Sequence, residues 1–223
     1  MCSGVSSVCM LSLIPSIFKT MKSHLHQSFG NIDIYLFDQL LKGTYEHCNK
    51  VLDAGCGGGR NLVYFLNNGY EVYGIDQNTE AIEAVKSLSK NLSPGNSLKN
   101  FRVGAIDELP FESEYFDLVI SSAVLHFADS KAHFESMLES MWRVLKPGGY
   151  FFSRLASDIG IENKVTNLGN GRYLLPDSSE RFLVNEQLLL RYSKDLNGYL
   201  HEPIKTTNVQ NQRCMTTWCL QKQ

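Results

Sequence analysis

The chain has 223 residues, enough for one substantial domain with a buried core but too few for two of ordinary size. Its 43% hydrophobic residues, 20% charged residues and formal net charge of −2 are typical of a globular protein and argue against a disordered, fibrous or membrane chain. The slightly acidic balance gives no general attraction to nucleic acid, so we expect neither a nucleic-acid nor a membrane partner.

The cysteines favour a reducing compartment. All six are scattered along the chain, and no C-x-x-C pair suggests a metal or redox motif. We therefore expect reduced thiols, no metal site and a cytoplasmic location for a monomer or homodimer.

Residues 1–30 are predicted to form an N-terminal extension, and residues 31–223 a single domain. The apolar stretch from Val8 to Phe18 has no basic residue before it, contains Pro15 and is too short to cross a bilayer. Met21 begins "MKSHLHQSFG", which is similar to a natural bacterial start. The first twenty residues are thus interpreted as an upstream extension, and the competing hypothesis is a lid over the active site.

Helices and strands alternate after this extension. Asn31 is predicted to cap a helix that carries Ile34, Phe37, Leu40 and Leu41 on one side. A buried strand, "KVLDAG", then leads through glycines into a helix over residues 60–69. A second strand, "EVYGID", is followed by a helix capped by Asn78.

The second half continues this pattern. "NFRVG" and "FDLVIS" are the predicted third and fourth strands, and the latter has the apolar interior of a central parallel strand. An amphipathic helix from Phe134 precedes the fifth strand, "YFFSRLA". Residues 157–172 are polar and glycine-containing, and a helix over "NEQLLLRYSKDL" precedes an antiparallel hairpin of "PIKTTNVQ" and "RCMTTWCLQK".

Five alternations of strand and helix predict an α/β fold, a doubly wound, Rossmann-like parallel sheet with helices on both faces. The closing hairpin adds one antiparallel strand. In such sheets the ligand binds outside the carboxyl ends of the strands, so the residues from Asp53 to Asn61 and Asp76 should share one edge.

The glycine loop "DAGCGGGR" indicates the kind of ligand. Gly55 and Gly57 fit a dinucleotide fingerprint, but Arg60 stands where its third glycine belongs, and no Gly-Lys-Ser/Thr follows to make a phosphate loop. Glycines let the backbone approach a bulky ligand closely. Asp76, at the end of the second strand, is placed to accept both hydroxyls of a ribose, so an adenosine without phosphates would satisfy both features.

These segments resemble the class I S-adenosylmethionine (SAM) dependent methyltransferases. "LDAGCGGGR" is similar to their first motif, "VYGID" to the strand with the ribose-binding acid, and "VGAIDELPF", "YFDLVISSAVLHF" and "LKPGGYF" to later motifs of the small-molecule branch. The loop and "NNGYEVYGID" also resemble the tellurite-resistance type enzymes. The resemblance implies a seven-stranded sheet of order 3-2-1-4-5-7-6 with strand 7 antiparallel, and SAM as cofactor with S-adenosylhomocysteine as product.

The resemblance also implies roles for individual residues. Those that would bind the cofactor are Asp53, Gly55, Cys56, Gly57, Arg60, Asp76, Gln77, Ile106, Asp107 and Ser121. Of these, Asp53, Gly55 and Gly57 would lie along the methionine part, Asp76 at the ribose and Gln77 beside the adenine. Relatives often carry an acid after the glycine of "VGAID", whereas this chain has Ala105, so the backbone of Ile106 and the carboxylate of Asp107 are the remaining adenine contacts.

Three residues have competing interpretations. Cys56 either has a lowered pKa at the loop or is a small residue that fits it. Arg60 either pairs with the SAM carboxylate or an anionic substrate, or is a solvated arginine. His126 follows the fourth strand and is either a catalytic base near the methyl group or a packed residue that shapes the pocket.

The predicted function is methyl transfer from SAM to a small-molecule acceptor by direct in-line displacement, which needs alignment in a dry pocket more than strong acid or metal. The alternatives are a SAM-binding sensor or interaction protein without turnover, and a methyltransferase acting on RNA or protein. Arg60 argues against an NAD-dependent oxidoreductase.

Overall fold

The computed structural model describes residues 24–223, in which strands and helices alternate as far as the fifth strand, except that β3 leads to β4 without a helix. The strands are β1 (Lys50–Ala54), β2 (Glu71–Asp76), β3 (Phe101–Val103), β4 (Phe116–Ser122), β5 (Leu145–Ser157), β6 (Thr166–Gly169), β7 (Arg172–Leu174), β8 (Glu180–Phe182), β9 (Gly198–Leu200), β10 (Lys205–Val209) and β11 (Arg213–Lys222). The helices are α1 (Ile34–Leu41), α2 (Val63–Asn67), α3 (Thr79–Leu92), α4 (Lys131–Val144) and α5 (Glu186–Asp195), with 3-10 turns at Leu98–Asn100 and Leu125–Phe127. Residues 24–29 are also helical.

The main sheet has the predicted order. Its path is β3-β2-β1-β4-β5-β11-β10, in which β1 to β5 pair in parallel and β11 runs antiparallel to both β5 and β10. Because β10 and β11 are the predicted sixth and seventh strands, the order 3-2-1-4-5-7-6 is confirmed. The short β9 is an addition that pairs with β11 beyond the end of the hairpin.

Both faces of the sheet are covered, because consecutive residues of its central strands point in opposite directions. Leu52 of β1 and Phe151 of β5 pack into one apolar cluster with α4, whereas their neighbours Val51 and Phe152 pack into another with α1 and α2. All four side chains are fully buried. Two-sided burial explains why these strands have apolar runs instead of alternating polar and apolar residues.

The first helix differs from the prediction. Its N-cap is Asp33, whose Oδ1 accepts a hydrogen bond from the Tyr35 amide, and not Asn31. Ile34 and Leu41 are 63% and 70% exposed, while Leu36 is buried. Ile34 and Leu41 are seven residues apart and share one side of the helix, whereas the buried Leu36 and Gln39 lie on the other, so the buried face is not the one that the apolar pattern predicts.

The polar stretch after β5 forms a structure that the sequence did not reveal. β6, β7 and β8 make a separate antiparallel sheet of three strands, and an isolated bridge from Ser157 to Val184 connects this segment to the end of β5. Its strands have three or four residues each and are mostly exposed, so they lack the apolar alternation that identifies a strand.

The predicted extension divides at residue 24. Residues 1–23, and with them the whole of the proposed upstream segment and its alternative as a lid, lie outside the described residues. Residues 24–30 pack on the domain, where Phe29 stacks on Tyr64 with ring centroids 5.5 Å apart. Within residues 24–223, none of the helices is both long enough and apolar enough to span a membrane.

Candidate active site

The glycine loop is held against β2 at its start. The amides of Gly55 and Cys56 both donate to the carbonyl oxygen of Ile75, at 2.8 and 3.0 Å. Gly55 has φ +83°, and a Cβ on it would lie 2.4 Å from the Val124 Cγ2 atom. Only glycine therefore lets the chain turn here while the segment after β4 packs against it.

The second loop glycine faces open space. Gly57 has φ +50°, and a Cβ there would have no atom within 4 Å among the described residues. Its amide donates to Oδ2 of Asp76 at 2.9 Å, while the Asn78 amide donates to Oδ1 at 2.9 Å. Two backbone donors thus fix the Asp76 carboxylate, and each oxygen keeps a further lone pair for a ligand.

One cavity lies at the carboxyl ends of β2 and β4, as the fold predicts. This Asp76 cavity has a volume of about 330 Å³ and is lined by Gly55, Asp76, Gln77, Ile106, Ala123, Val124, Phe127, His133 and Met137. Four of the predicted cofactor residues are therefore together in one wall. Asp107 lies elsewhere, in a cleft with Glu108, Glu139 and Arg143.

A second cavity lies on the other side of the loop. This Arg60 cavity has a volume of about 390 Å³ and is lined by His26, Gly30, Asn31, the residues 55–61, Val63, Leu88 and Ser122. Gly55 belongs to both cavities, so the glycine loop separates two halves of one recess.

The structure places Ser122, and not the predicted Ser121, in this recess. The Arg60 Nη2 atom donates to Ser122 Oγ at 3.1 Å. Ser121 is fully buried and does not line either cavity within the described residues. Consecutive strand residues point to opposite faces, so a shift of one residue moves the side chain away from the ligand.

Asp33 is a site residue that sequence reasoning missed. Its side chain is fully buried and its Oδ2 pairs with Arg154 Nη1 at 2.8 Å, with Arg60 Nη2 at 3.9 Å and with Ser122 Oγ at 3.4 Å. Its amide donates to Asn61 Oδ1 at 3.0 Å. Asp33 therefore joins α1, the glycine loop, β4 and β5. Its place just before an apolar run could have identified a helix cap, but these partners are distant in sequence.

Asp53 is buried without a partner. Asp53 is the second-last residue of β1 and is 1% exposed. Neither of its carboxylate oxygens has a hydrogen-bond partner in the described residues. Burial raises the pKa of Asp53 to about 7, while Arg60 opposes the shift and Asp76 adds to it. A buried carboxylate without a partner is costly unless a cation or donor reaches it, so Asp53 is suited to bind a positively charged group.

Cys56 is a small loop residue and not a reactive thiol. It is 3% exposed, and a Cβ at Gly74 would lie 2.8 Å from its sulfur atom, so the thiol packs beneath the loop against β2. Burial raises the pKa of Cys56 well above its ordinary value. The lowered pKa considered from the sequence is therefore wrong, although the residue does line the Arg60 cavity.

His126 lies in the 3-10 turn after β4 and lines a third cavity. The Ala156 amide donates to its Nδ1 atom at 3.2 Å, so the neutral ring carries its proton on Nε2. Burial, with the charge of Arg181 adding to it, lowers the pKa of His126 to about 4. At neutral pH this arrangement makes the histidine a hydrogen-bond donor.

The third cavity adjoins the first. This Arg181 cavity has a volume of about 350 Å³ and is lined by Ala123, His126, Arg154, Ala156, Leu175, Asp177, Ser179, Arg181, Val209, Arg213 and Met215. Ala123 lines both it and the Asp76 cavity. Ala123 has a φ of +64° and lies at the sharp turn after β4, where the two cavities meet.

Comparison with known proteins defines the class. Residues 52–153 match a family model described as a methyltransferase domain. With the sheet order and the glycine loop, this match identifies residues 52–153 as a methyltransferase domain of the class I SAM-dependent type, as the motifs predict, and SAM is the cofactor of such domains.

Individual relatives cover parts of the chain. An uncharacterized methyltransferase of Synechocystis is 37% identical over 102 residues, which are 46% of this chain and 44% of that protein. The tRNA 5-carboxymethoxyuridine methyltransferase of Escherichia coli is 27% identical over 135 residues, covering 60% of this chain and 49% of its own. This chain thus spans about half the length of the curated relatives it matches.

A solved structure has a similar fold. The 1,6-didemethyltoxoflavin-N1-methyltransferase of Burkholderia thailandensis, with bound 1,6-didemethyltoxoflavin and S-adenosylhomocysteine, matches with a TM-score of 0.63 and 16% identity. The match covers 100% of this chain and 93% of that one. At this identity the likeness concerns the fold.

Proposed function

We propose that this protein transfers the methyl group of SAM to a small-molecule acceptor by direct in-line displacement. The observation that carries the proposal is the recess in which the Asp76 and Arg60 cavities meet at Gly55, with a third cavity adjoining at Ala123. Two compartments divided by a glycine loop suit a ligand with two different ends, and the adjoining one suits a second substrate.

The residues present fit SAM. The buried, unpartnered carboxylate of Asp53 suits an α-ammonium group, and the fixed carboxylate of Asp76 suits a ribose. Arg60 lines the other compartment and suits the α-carboxylate. Gln77 and Ile106 line the Asp76 cavity, where the adenine would lie. The charged and hydrogen-bonding side chains of the recess are thus of the types that the ammonium, carboxylate and ribose groups of SAM require.

When bound, SAM supplies a methyl carbon on a sulfonium that leaves as a neutral thioether, so the protein need not stabilise an anionic leaving group. The work left to the chain is to hold the acceptor in line and to exclude water. Leu125, in the segment after β4, and Phe134 of α4 are fully buried in one apolar cluster, which anchors that segment to the core.

In this scheme His126 orients the acceptor. Its Nδ1 is occupied by the Ala156 amide, so the free ring atom, Nε2, is a donor. We propose that Nε2 donates to the acceptor molecule instead of removing its proton. This keeps His126 in the catalytic centre, with a different role from that of the base expected from the sequence.

An RNA substrate is the second candidate, because one curated relative is a tRNA methyltransferase. Against it, the Arg181 cavity has a volume of about 350 Å³, near the lower end of the range of small-molecule sites. The formal net charge of −2 also provides no general attraction to a phosphate backbone. These two observations favour the small-molecule acceptor.

The test starts with calorimetric titration of the protein with S-adenosylhomocysteine, with NADH as the control ligand. Micromolar-range binding of the first and none of the second is expected, and the reverse would refute the cofactor assignment. Incubation with methyl-labelled SAM and either a panel of small acceptors or bulk tRNA then identifies the acceptor class. Cofactor binding without transfer to any of them would favour a SAM-binding protein without turnover.

A further inference from the structure

We propose that the methyl acceptor is a small organic acid, whose carboxylate or phosphate group is bound by Arg181 and Arg213 in the cavity that adjoins the cofactor recess. This inference rests on the proposed function, because it assigns the third cavity to the acceptor. It adds the chemical class of the acceptor, which the methyltransferase fold does not determine.

The cavity concentrates positive charge. Three guanidinium groups line it, those of Arg154, Arg181 and Arg213, against a single carboxylate, that of Asp177. They come from three different strands, β5, β8 and β11, so no local sequence run produces the cluster. Guanidinium forks are suited to planar, bidentate recognition of carboxylate and phosphate.

Two of the three arginines already have an acidic neighbour. Arg154 Nη1 is 2.8 Å from Asp33 Oδ2, a short ion pair on a buried acid. Arg213 Nη1 is 3.8 Å from Asp177 Oδ2, which is too long for a hydrogen bond. The Arg213 side chain is 58% exposed, so it can turn toward a ligand.

Arg181 differs from the other two. Within residues 24–223, no carboxylate lies within 4.0 Å of its guanidinium. It lies over the Phe127 ring at 5.0 Å and donates from Nη1 to the Glu180 carbonyl at 2.6 Å. The neighbouring Arg172, by contrast, pairs with Glu180 at 3.3 Å. Arg181 is therefore held in place on the cavity wall with unused donors and without a direct ion pair among the described residues. The Asp177 carboxylate of the same cavity, whose pKa is lowered chiefly by its hydrogen bond with Ser179, is nevertheless near enough for Arg181 to lower that pKa further.

The rest of the wall defines the body of the acceptor. Ala156 and Leu175 are each 3% exposed and form an apolar cluster with the partly buried Met215. His126 and Ser179 add polar groups. An apolar floor below a cationic rim suits a compact molecule with one apolar face and one anionic group.

The two candidate bases of the cavity, His126 and Asp177, are weak, because the pKa of each is lowered. His126 has its Nδ1 occupied, and Asp177 Oδ1 accepts hydrogen bonds from the amide and hydroxyl of Ser179 at 3.0 and 2.6 Å. A carboxylate or phosphate oxygen that itself forms the new bond to the methyl carbon, as the carbon–sulfur bond breaks, has no proton to lose and does not need such a base. This agrees with an acid as the substrate class.

The test uses three probes that share a phenyl ring: benzoate, phenyl phosphate and the neutral benzamide. Each is titrated calorimetrically into the protein, with and without saturating S-adenosylhomocysteine, at constant ionic strength because exposed charges are screened by salt. At least one anion should bind and benzamide should not. Binding of benzoate alone indicates a carboxylate acceptor, and binding of phenyl phosphate alone indicates a phosphorylated one. No anion binding, or equal binding of benzamide, would overturn the proposal.

Matched variants locate the site. Arg181→Gln should weaken binding of the anionic probe about tenfold, equivalent to the loss of one charge-assisted hydrogen bond. Arg191→Gln is the control, because Arg191 also stacks over an aromatic ring, at 5.4 Å from Tyr192, but lies outside the cavity lining. Arg181→Lys should retain part of the affinity. Equal losses in the Arg181 and Arg191 variants would refute the site, and Arg213→Gln provides a second test if Arg181→Gln does not fold.

Cofactor binding distinguishes this proposal from the one on which it rests. All of these variants should bind S-adenosylhomocysteine like the wild type, because none of the replaced residues lines the Asp76 or Arg60 cavity. Normal cofactor binding with no anion binding would refute only the acceptor class. Absence of cofactor binding by the wild type would refute the proposed function itself.

Discussion

Replacing Asp53 with asparagine tests whether its buried carboxylate is kept for the cofactor. In the ligand-free protein, burial raises the pKa of Asp53 from its ordinary 3.8 to about 7. This pKa difference corresponds to a free-energy cost of about 4 kcal/mol for ionising the carboxylate without a partner in the folded chain, relative to ionising it in the unfolded chain. An α-ammonium group that binds nearby would return the pKa toward its ordinary value.

Two pH effects follow for the wild type. Since the folded chain keeps the Asp53 proton to a higher pH than the unfolded chain, the stability of the ligand-free protein should fall as pH rises from about 4 to about 7. Affinity for S-adenosylhomocysteine should change in the opposite sense, because the ligand favours the ionised form. Between about pH 5.5 and pH 8 it should rise about 30-fold and level off above pH 7.

The assay is calorimetric titration with S-adenosylhomocysteine over this pH range, in buffers of different ionisation enthalpy so that proton release is counted. Below pH 7 the wild type should release up to one proton on binding. Asp53→Asn should bind more weakly, show a flatter pH profile and release fewer protons. The unfolding midpoint of Asp53→Asn minus that of the wild type should be larger at pH 8 than at pH 5, because only the wild type loses stability as Asp53 ionises.

An unchanged pH profile in the variant would refute the reasoning, because the titrating group would then lie elsewhere. Flat affinity in the wild type would show that the carboxylate has a partner or that the ligand does not approach it.

The remaining predictions concern the loop and its neighbours. Gly55→Ala should lower the free energy of unfolding by about 1–3 kcal/mol, measured with denaturant, since its Cβ would lie 2.4 Å from a valine methyl group. Gly57→Ala should cost about 1 kcal/mol for its left-handed backbone but impair cofactor binding more, since its Cβ enters the open recess. Asp76→Ala should weaken S-adenosylhomocysteine binding at least about tenfold and Asp107→Ala should not; equal losses would refute the ribose assignment. His126→Gln should lower the rate of methyl transfer and leave its pH profile near neutrality unchanged; loss of a titration between about pH 6 and 7 would restore the histidine as a base.

The local sequence determined the type of the main sheet and half of the recess. Alternating strands and helices, with right-handed crossovers, predicted a doubly wound sheet with one antiparallel strand, and the resemblance of the motifs to a known family implied the full path from β3 to β10. The glycine loop and Asp76 could also be assigned, because the loop follows β1 directly, Asp76 ends β2, and the ends of these strands must lie at the ligand edge. Such signals depend on neighbouring residues alone.

Tertiary structure decided which side chains enter the recess. The choice of Ser122 over Ser121 depends on strand register, which a pattern of consecutive apolar residues leaves open. Asp33 meets Ser122 and Arg154 across 89 and 121 residues of sequence. Arg154, Arg181 and Arg213 converge only because β5, the small sheet and the hairpin fold around one cavity. Side chains from distant strands are brought together by packing, and a single sequence carries no local mark of that meeting.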